Sequence, residues 1–168
     1  MSNKIYLIAN WKMQLLSTQA KKLAAEFVKE LDGFNFDKNE VILAPSFIGL
    51  ESVSEEIKNS SIHLSSQNIF YHESGAYTGE VSPAQLKEIG TEYTIIGHSE
   101  RREYLHETDD EVNRKVKISL DSGFTPIVCV GETYQERADN NTDLVLIKQV
   151  SAAIQDIKLA AEQKIIIA

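Results

Sequence analysis

The sequence predicts an α/β protein built on a parallel sheet with helices packed outside it. Its apolar runs are nearly continuous and rich in isoleucine and valine, as strands covered on both faces are. Amphipathic helical patterns alternate with them, and strict alternation of strand and helix builds parallel sheets. No low-complexity segment or interdomain linker interrupts the pattern, so residues 1–168 read as a single domain, long enough to bury a real core.

The elements follow in order. Residues 5–9 (Ile-Tyr-Leu-Ile-Ala) form the first strand. Ser17 is placed to cap a helix whose apolar positions, Ala20, Leu23, Ala24, Phe27, Val28 and Leu31, share one face. Residues 41–44 form the second strand, and Leu50, Val53 and Ile57 mark a shorter helix. A third strand at 62–64 leads into a polar stretch, 65–79, containing Gly75 and Gly79. It reads as a long loop, which in a compact domain is usually functional. Ser82-Pro83 combines a cap with proline at the first helical position and leads through Leu86 and Ile89 to a stop at Gly90. Residues 93–96 form the fourth strand. Thr108 and Glu111 make a capping box for a helix through Val112, Val116 and Leu120, closed at Gly123. The fifth strand is 125–130. Thr142 begins a helix through Val145, Ile147 and Val150, and 165–168 is the sixth strand. The result is five βα units and a further strand.

The net charge of -8 argues against nucleic acid or an anionic membrane as partner. An anionic substrate would need positive charge concentrated locally. The one cysteine, Cys129, permits no intrachain disulfide and fits a reducing cytosol. No secretory pattern opens the chain, and no stretch approaches the roughly 20 apolar residues of a membrane span. A cytoplasmic protein is expected. With no histidine pair at helical spacing and no paired cysteines, no metal site is expected.

Three strand ends carry polar groups where a parallel α/β fold binds ligands. Asn10 and Lys12 follow the first strand. The Lys12 ammonium either faces the cleft, suiting an anion and a developing enolate, or is solvated in the loop. His98 follows the fourth strand, with Ser99 able to start a short helical turn and Glu100, Arg101 and Arg102 behind it. It is either a structural histidine or a donor to a carbonyl oxygen; a helix N-terminus disfavours its cationic form. Gly131-Glu132-Thr133 follows the fifth strand, and Glu132 reads as a loop-ordering carboxylate, with a catalytic or supporting carboxylate as the alternative. Cys129 reads as a small buried residue rather than a nucleophile. His63, His72 and His106 have no chemistry-bearing neighbours in sequence. A dinucleotide fold usually shows a glycine-rich turn after its first strand, whereas Asn10-Trp11-Lys12 contains none.

Five motifs together resemble triosephosphate isomerases, in that family's order and spacing. They are Asn10-Trp11-Lys12-Met13, Gln67-Asn68, residues 74–80 (Ser-Gly-Ala-Tyr-Thr-Gly-Glu), 97–102 (Gly-His-Ser-Glu-Arg-Arg), and Val130-Gly131-Glu132-Thr133. The resemblance runs over the whole chain. It implies a (β/α)8 barrel, here incomplete, and interconversion of dihydroxyacetone phosphate and glyceraldehyde 3-phosphate through an enediolate, without a cofactor. It further implies that Lys12 is the electrostatic partner of the substrate and that Asn10 helps place it. His98 would be the neutral electrophile that polarises the carbonyl, and Glu100 a supporting carboxylate. It implies a loop, 67–80, that docks on a neighbouring subunit, with Thr78 reaching the other chain's site and Glu80 meeting Arg101.

The same resemblance leaves out three parts. The family's general-base glutamate, its lid and its glycine-rich phosphate grip lie beyond the segment matched here. The isolated chain is therefore expected to be inactive, with weak triose phosphate affinity. Six strands of an eight-stranded barrel expose edges and apolar faces, so a homo-oligomer, a dimer or higher, is expected. The alternatives are a non-catalytic oligomerisation module, a split-enzyme fragment that needs a C-terminal partner, and a nucleotide-binding domain.

Overall fold

The computed structural model describes residues 4–168; the first three residues of the single-domain reading lie outside the described residues. The described chain holds six strands, in sheet order β1-β2-β3-β4-β5-β6, and seven α-helices, the α/β class expected. It forms two compact units. The first comprises residues up to 67 together with 84–93, and the second comprises 68–83 together with 94–168.

In the first unit β1 (Ile5–Asn10), β2 (Asn39–Ala44) and β3 (His63–Ser66) pair in parallel. The register sets Asn10 opposite Ala44, so β1 and β2 end together. Helix α1 (Ser17–Glu30) packs on α2 (Leu50–Ile57), which follows a 3-10 turn at Phe47–Gly49. Ala20, Ala24, Leu50, Val53 and Ile57 close over Val41, Leu43 and Leu64 as the core. Helix α3 (Pro83–Glu88) begins at the expected proline, and Gly90 stops it with a φ of 86°.

Two details differ from the sequence reading. Ser17 does not cap α1: Leu16 holds the cap position, and only the return half of a capping box forms, from Leu16 N–H to Gln19 Oε1 at 2.9 Å. The Ser17 hydroxyl instead bonds the Ser52 hydroxyl at 2.9 Å, because the α1–α2 contact offers a partner that no local pattern reveals. Nor is β1 covered on both faces. Ile5 and Leu7 are 57% and 46% exposed, and their spacing of two puts both on one side of the strand.

In the second unit the fourth strand, β4 (Tyr93–Ile96), continues from the first unit into α4 (Ser99–Leu105) and α5 (Asp109–Asp121). Then come β5 (Thr125–Val128), α6 (Tyr134–Ala138), α7 (Thr142–Ala153) and β6 (Ile166–Ile167). Strands β5 and β6 pair in parallel. Helix α5 lies against β5 and α7, burying Val112, Val116, Leu120, Ile127, Val128 and Ala153. The expected capping box at its start is complete: Thr108 Oγ1 accepts from Glu111 N–H at 3.3 Å, and Glu111 Oε2 accepts from Thr108 N–H at 2.8 Å. Gly123 ends the segment with a φ of 83°.

Candidate active site

In the first unit the carboxyl ends of β1, β2 and β3 carry one polar cluster. Asn10 Oδ1 accepts from Lys12 N–H at 3.0 Å, closing a turn that holds Lys12 at a φ of 51°. Gln67, the residue after β3, spans the strand ends. Its Nε2 donates to Lys12 O at 2.9 Å and to Ala44 O at 2.8 Å. Trp11 N–H also donates to Ala44 O, at 3.1 Å. The Lys12 backbone is therefore tied to all three strands.

In the second unit His98 is the N-cap of α4, with φ -56° and ψ 141°. Its Nδ1 accepts from Glu100 N–H at 3.3 Å, and Glu100 Oε2 lies 3.4 Å from the same nitrogen. A backbone N–H can only donate, so Nδ1 serves as acceptor and a neutral ring carries its proton on Nε2. The ring is mostly buried, its side chain 20% exposed.

Gly97, just before the histidine, has a φ of 72°. Its N–H donates to Glu107 Oε2 at 3.1 Å, and its carbonyl accepts from Arg102 Nε at 2.9 Å. Arg102 Nη1 donates to Asp109 Oδ1 at 2.6 Å. Glu107 Oε1 accepts from Arg101 Nε at 3.0 Å and contacts Lys115 Nζ, which also donates to Asn68 Oδ1 at 2.9 Å.

Glu132 is bound as a loop-ordering residue is. Its Oε1 accepts from Arg137 Nε at 2.6 Å and from the Thr142 hydroxyl at 3.3 Å. Its own backbone N–H, then Arg137, hold the carboxyl below the usual carboxylate range. Burial pushes the Cys129 thiol up to about 11, against nucleophilic use. His63, bland in sequence, is paired: its Nδ1 lies 2.9 Å from Glu92 Oε1. In the loop, Phe70 stacks on Tyr71 and His72 on Tyr77, with Phe70 tilted against both His72 and Tyr77, and Glu80 N–H donates to Tyr77 O at 3.1 Å. Thr78 and Glu80 are exposed, and Arg101 is held by Glu107. Each unit thus gathers its own expected residues, Asn10 with Lys12 and His98 with Glu100.

The family model described as triosephosphate isomerase matches residues 5–168. The chain belongs to the triosephosphate isomerase family. A triosephosphate isomerase of Thermodesulfovibrio yellowstonii is 44% identical over 154 residues, which are 92% of this chain and 62% of that protein. One from Clostridium botulinum (strain ATCC 19397 / Type A) is 43% identical over 163 residues, 96% of this chain and 64% of its own length. One from Dictyoglomus thermophilum is 39% identical over 162 residues, again 96% and 64%. The chain therefore spans somewhat under two thirds of these triosephosphate isomerases.

Two features escaped the sequence reading. Helix α6 opens with Thr133 and Glu136 in a complete capping box, a Thr-x-x-Glu signal that was available. The Glu107–Lys115 pair had a subtler mark. Lys115 sits three residues after Val112 and next to Val116, on the apolar side of its helix, where a charge needs a buried partner.

Proposed function

We propose that this chain contributes to the interconversion of dihydroxyacetone phosphate and glyceraldehyde 3-phosphate by proton transfer through an enediolate. The Lys12 ammonium attracts the phosphorylated substrate and offsets the charge that develops on oxygen. Asn10, which shapes the Lys12 turn, helps place the substrate. His98 donates from Nε2 to the substrate carbonyl, and Glu100 supports the ring. The observation that carries this reading is the hydrogen bond from Glu100 N–H to His98 Nδ1, which leaves the imidazole proton on the nitrogen free to donate.

Proton abstraction also needs a positioned base and exclusion of water, and these residues supply neither. Each missing group typically costs about 10²- to 10⁴-fold in rate, so a polypeptide of these 168 residues alone is expected to show negligible turnover. No cofactor is required. The reading includes one domain over 1–168, a cytoplasmic setting, and a homo-oligomer in which Thr78, Glu80 and Arg101 meet a second copy.

Mixing the chain with a polypeptide carrying the remaining C-terminal third of the Clostridium botulinum relative, and assaying isomerisation, tests the proposal. Activity in the mixture, absent from either piece and lost with His98→Gln, is the expected result. A stable oligomer that no partner activates would instead mark a non-catalytic assembly module.

A further inference from the structure

The two peptide groups that flank the Gly97 Cα are each held by a charged group, Glu107 Oε2 on the Gly97 N–H and Arg102 Nε on the Gly97 carbonyl. A Cβ at this position would stand 3.0 Å from Val112 Cγ2 and 3.3 Å from the Cys129 carbonyl. Glu107 is itself fixed, with its side chain 2% exposed and two cations, Arg101 and Lys115, on its other oxygen. A carboxylate this dry is tolerated only when paired and hydrogen-bonded. The pairing explains its burial. It does not explain why the second oxygen is spent on one backbone N–H beside His98.

We propose that Glu107, with Arg102 on the next peptide group, is a positioning residue for His98. The proposal rests on the reading of His98 as a neutral donor. Two contacts compete at His98 Nδ1. Glu100 N–H, at 3.3 Å, selects the ring with its proton on Nε2. Glu100 Oε2, at 3.4 Å, draws the proton to Nδ1. The two distances differ by only 0.1 Å (3.3 against 3.4 Å), so small shifts in the backbone of 97–100 alter the balance between these contacts. Glu107 and Arg102 set that backbone by holding the two successive peptide groups through which the chain enters the cap. Glu107→Gln replaces one acceptor oxygen with an NH₂ group. The side chain then cannot serve the Gly97 N–H and both cations together.

Imidazole ¹⁵N spectra of the full 168-residue chain test this directly. The wild type is expected to show a pyridine-like Nδ1 and a pyrrole-like Nε2 at His98. In Glu107→Gln and in Arg102→Lys the two signals should converge toward the tautomer average. Glu92→Gln, which breaks an ion pair in the other unit, should leave them in place, separating positioning from general loss of stability. In the complemented enzyme both positioning variants should lower kcat about 10- to 100-fold with KM little changed. Unaltered His98 signals in folded Glu107→Gln would overturn the proposal; if that variant does not fold, Arg102→Lys decides in the same way. Absence of isomerisation in the complemented wild type would defeat the functional reading instead, and the spectra would still decide whether Glu107 positions the ring.

Discussion

Glu107 and Lys115 form an ion pair almost without solvent, their side chains 2% and 4% exposed. Removing one partner from such a pair leaves a buried charge short of compensation, at a cost of about 3–5 kcal/mol. Arg101 still faces Glu107, so Lys115→Met is expected near the lower end, about 3 kcal/mol by urea denaturation. The double variant Lys115→Met/Glu107→Leu should cost less than the sum of the two single changes. Full additivity would mean that the pair is not coupled.

Gly97→Ala places a side chain at a φ of 72° and against Val112 Cγ2. The left-handed conformation alone costs an L-residue about 1–2 kcal/mol, and the crowding adds to it. A destabilisation of about 2 kcal/mol or more is expected from thermal or urea unfolding. Gly123→Ala, with a φ of 83° but nothing within 4 Å of its Cβ, should cost only the conformational part.

The His63–Glu92 pair predicts a pH dependence of stability. The Glu92 carboxylate hydrogen-bonded to the ring raises His63 above its usual value, while partial burial opposes it; Glu40 raises it slightly and Lys4 lowers it. A raised folded-state value means that the stabilisation is fully present below the ordinary histidine range, near about 6.5, and is lost as pH climbs through the raised value. Urea midpoints measured between about pH 5.5 and 8.5 should fall more steeply in the wild type than in Glu92→Gln. Parallel curves would show that the pair contributes nothing.

Cys129 should react slowly. With its thiol pushed to about 11 from an unperturbed 9.0, its thiolate fraction at pH 8 is about 100-fold below that of an open cysteine. Alkylation by iodoacetamide should therefore lag a model thiol by about two orders of magnitude and recover in urea. A rate equal to the model thiol would contradict the partial burial of this side chain.

Thr108→Ala removes the hydroxyl that caps α5, a helix packed against β5 and α7. A loss of about 1 kcal/mol is expected, as for other N-cap deletions. Thr133→Ala removes the same kind of cap from α6, which spans five residues and buries none of them. Little global stability should be lost there. The contrast between the two melting shifts measures how much a cap matters once its helix is anchored.

The parts legible in the sequence were those whose causes lie within a few residues. The capping box of Thr108 and Glu111 closes over three positions, and the turn at Gly90 needs only its own backbone. The apolar runs became β1, β2, β4, β5 and β6 because isoleucine and valine favour a buried pleated surface, while β3 formed as His63–Ser66 with Ile62 just before it; the ends of the runs moved by a few residues. The Asn10 and His98 motifs likewise sit at strand ends, as their position after an apolar run requires. Tertiary structure alone decided the rest. Ser17 turned from its cap to Ser52, 35 residues away, and Lys115 reached Asn68 across 47. The free energy of a buried polar group depends on which partner the fold brings within about 3 Å, and a linear pattern carries that information only as an oddity, such as a lysine on an apolar face.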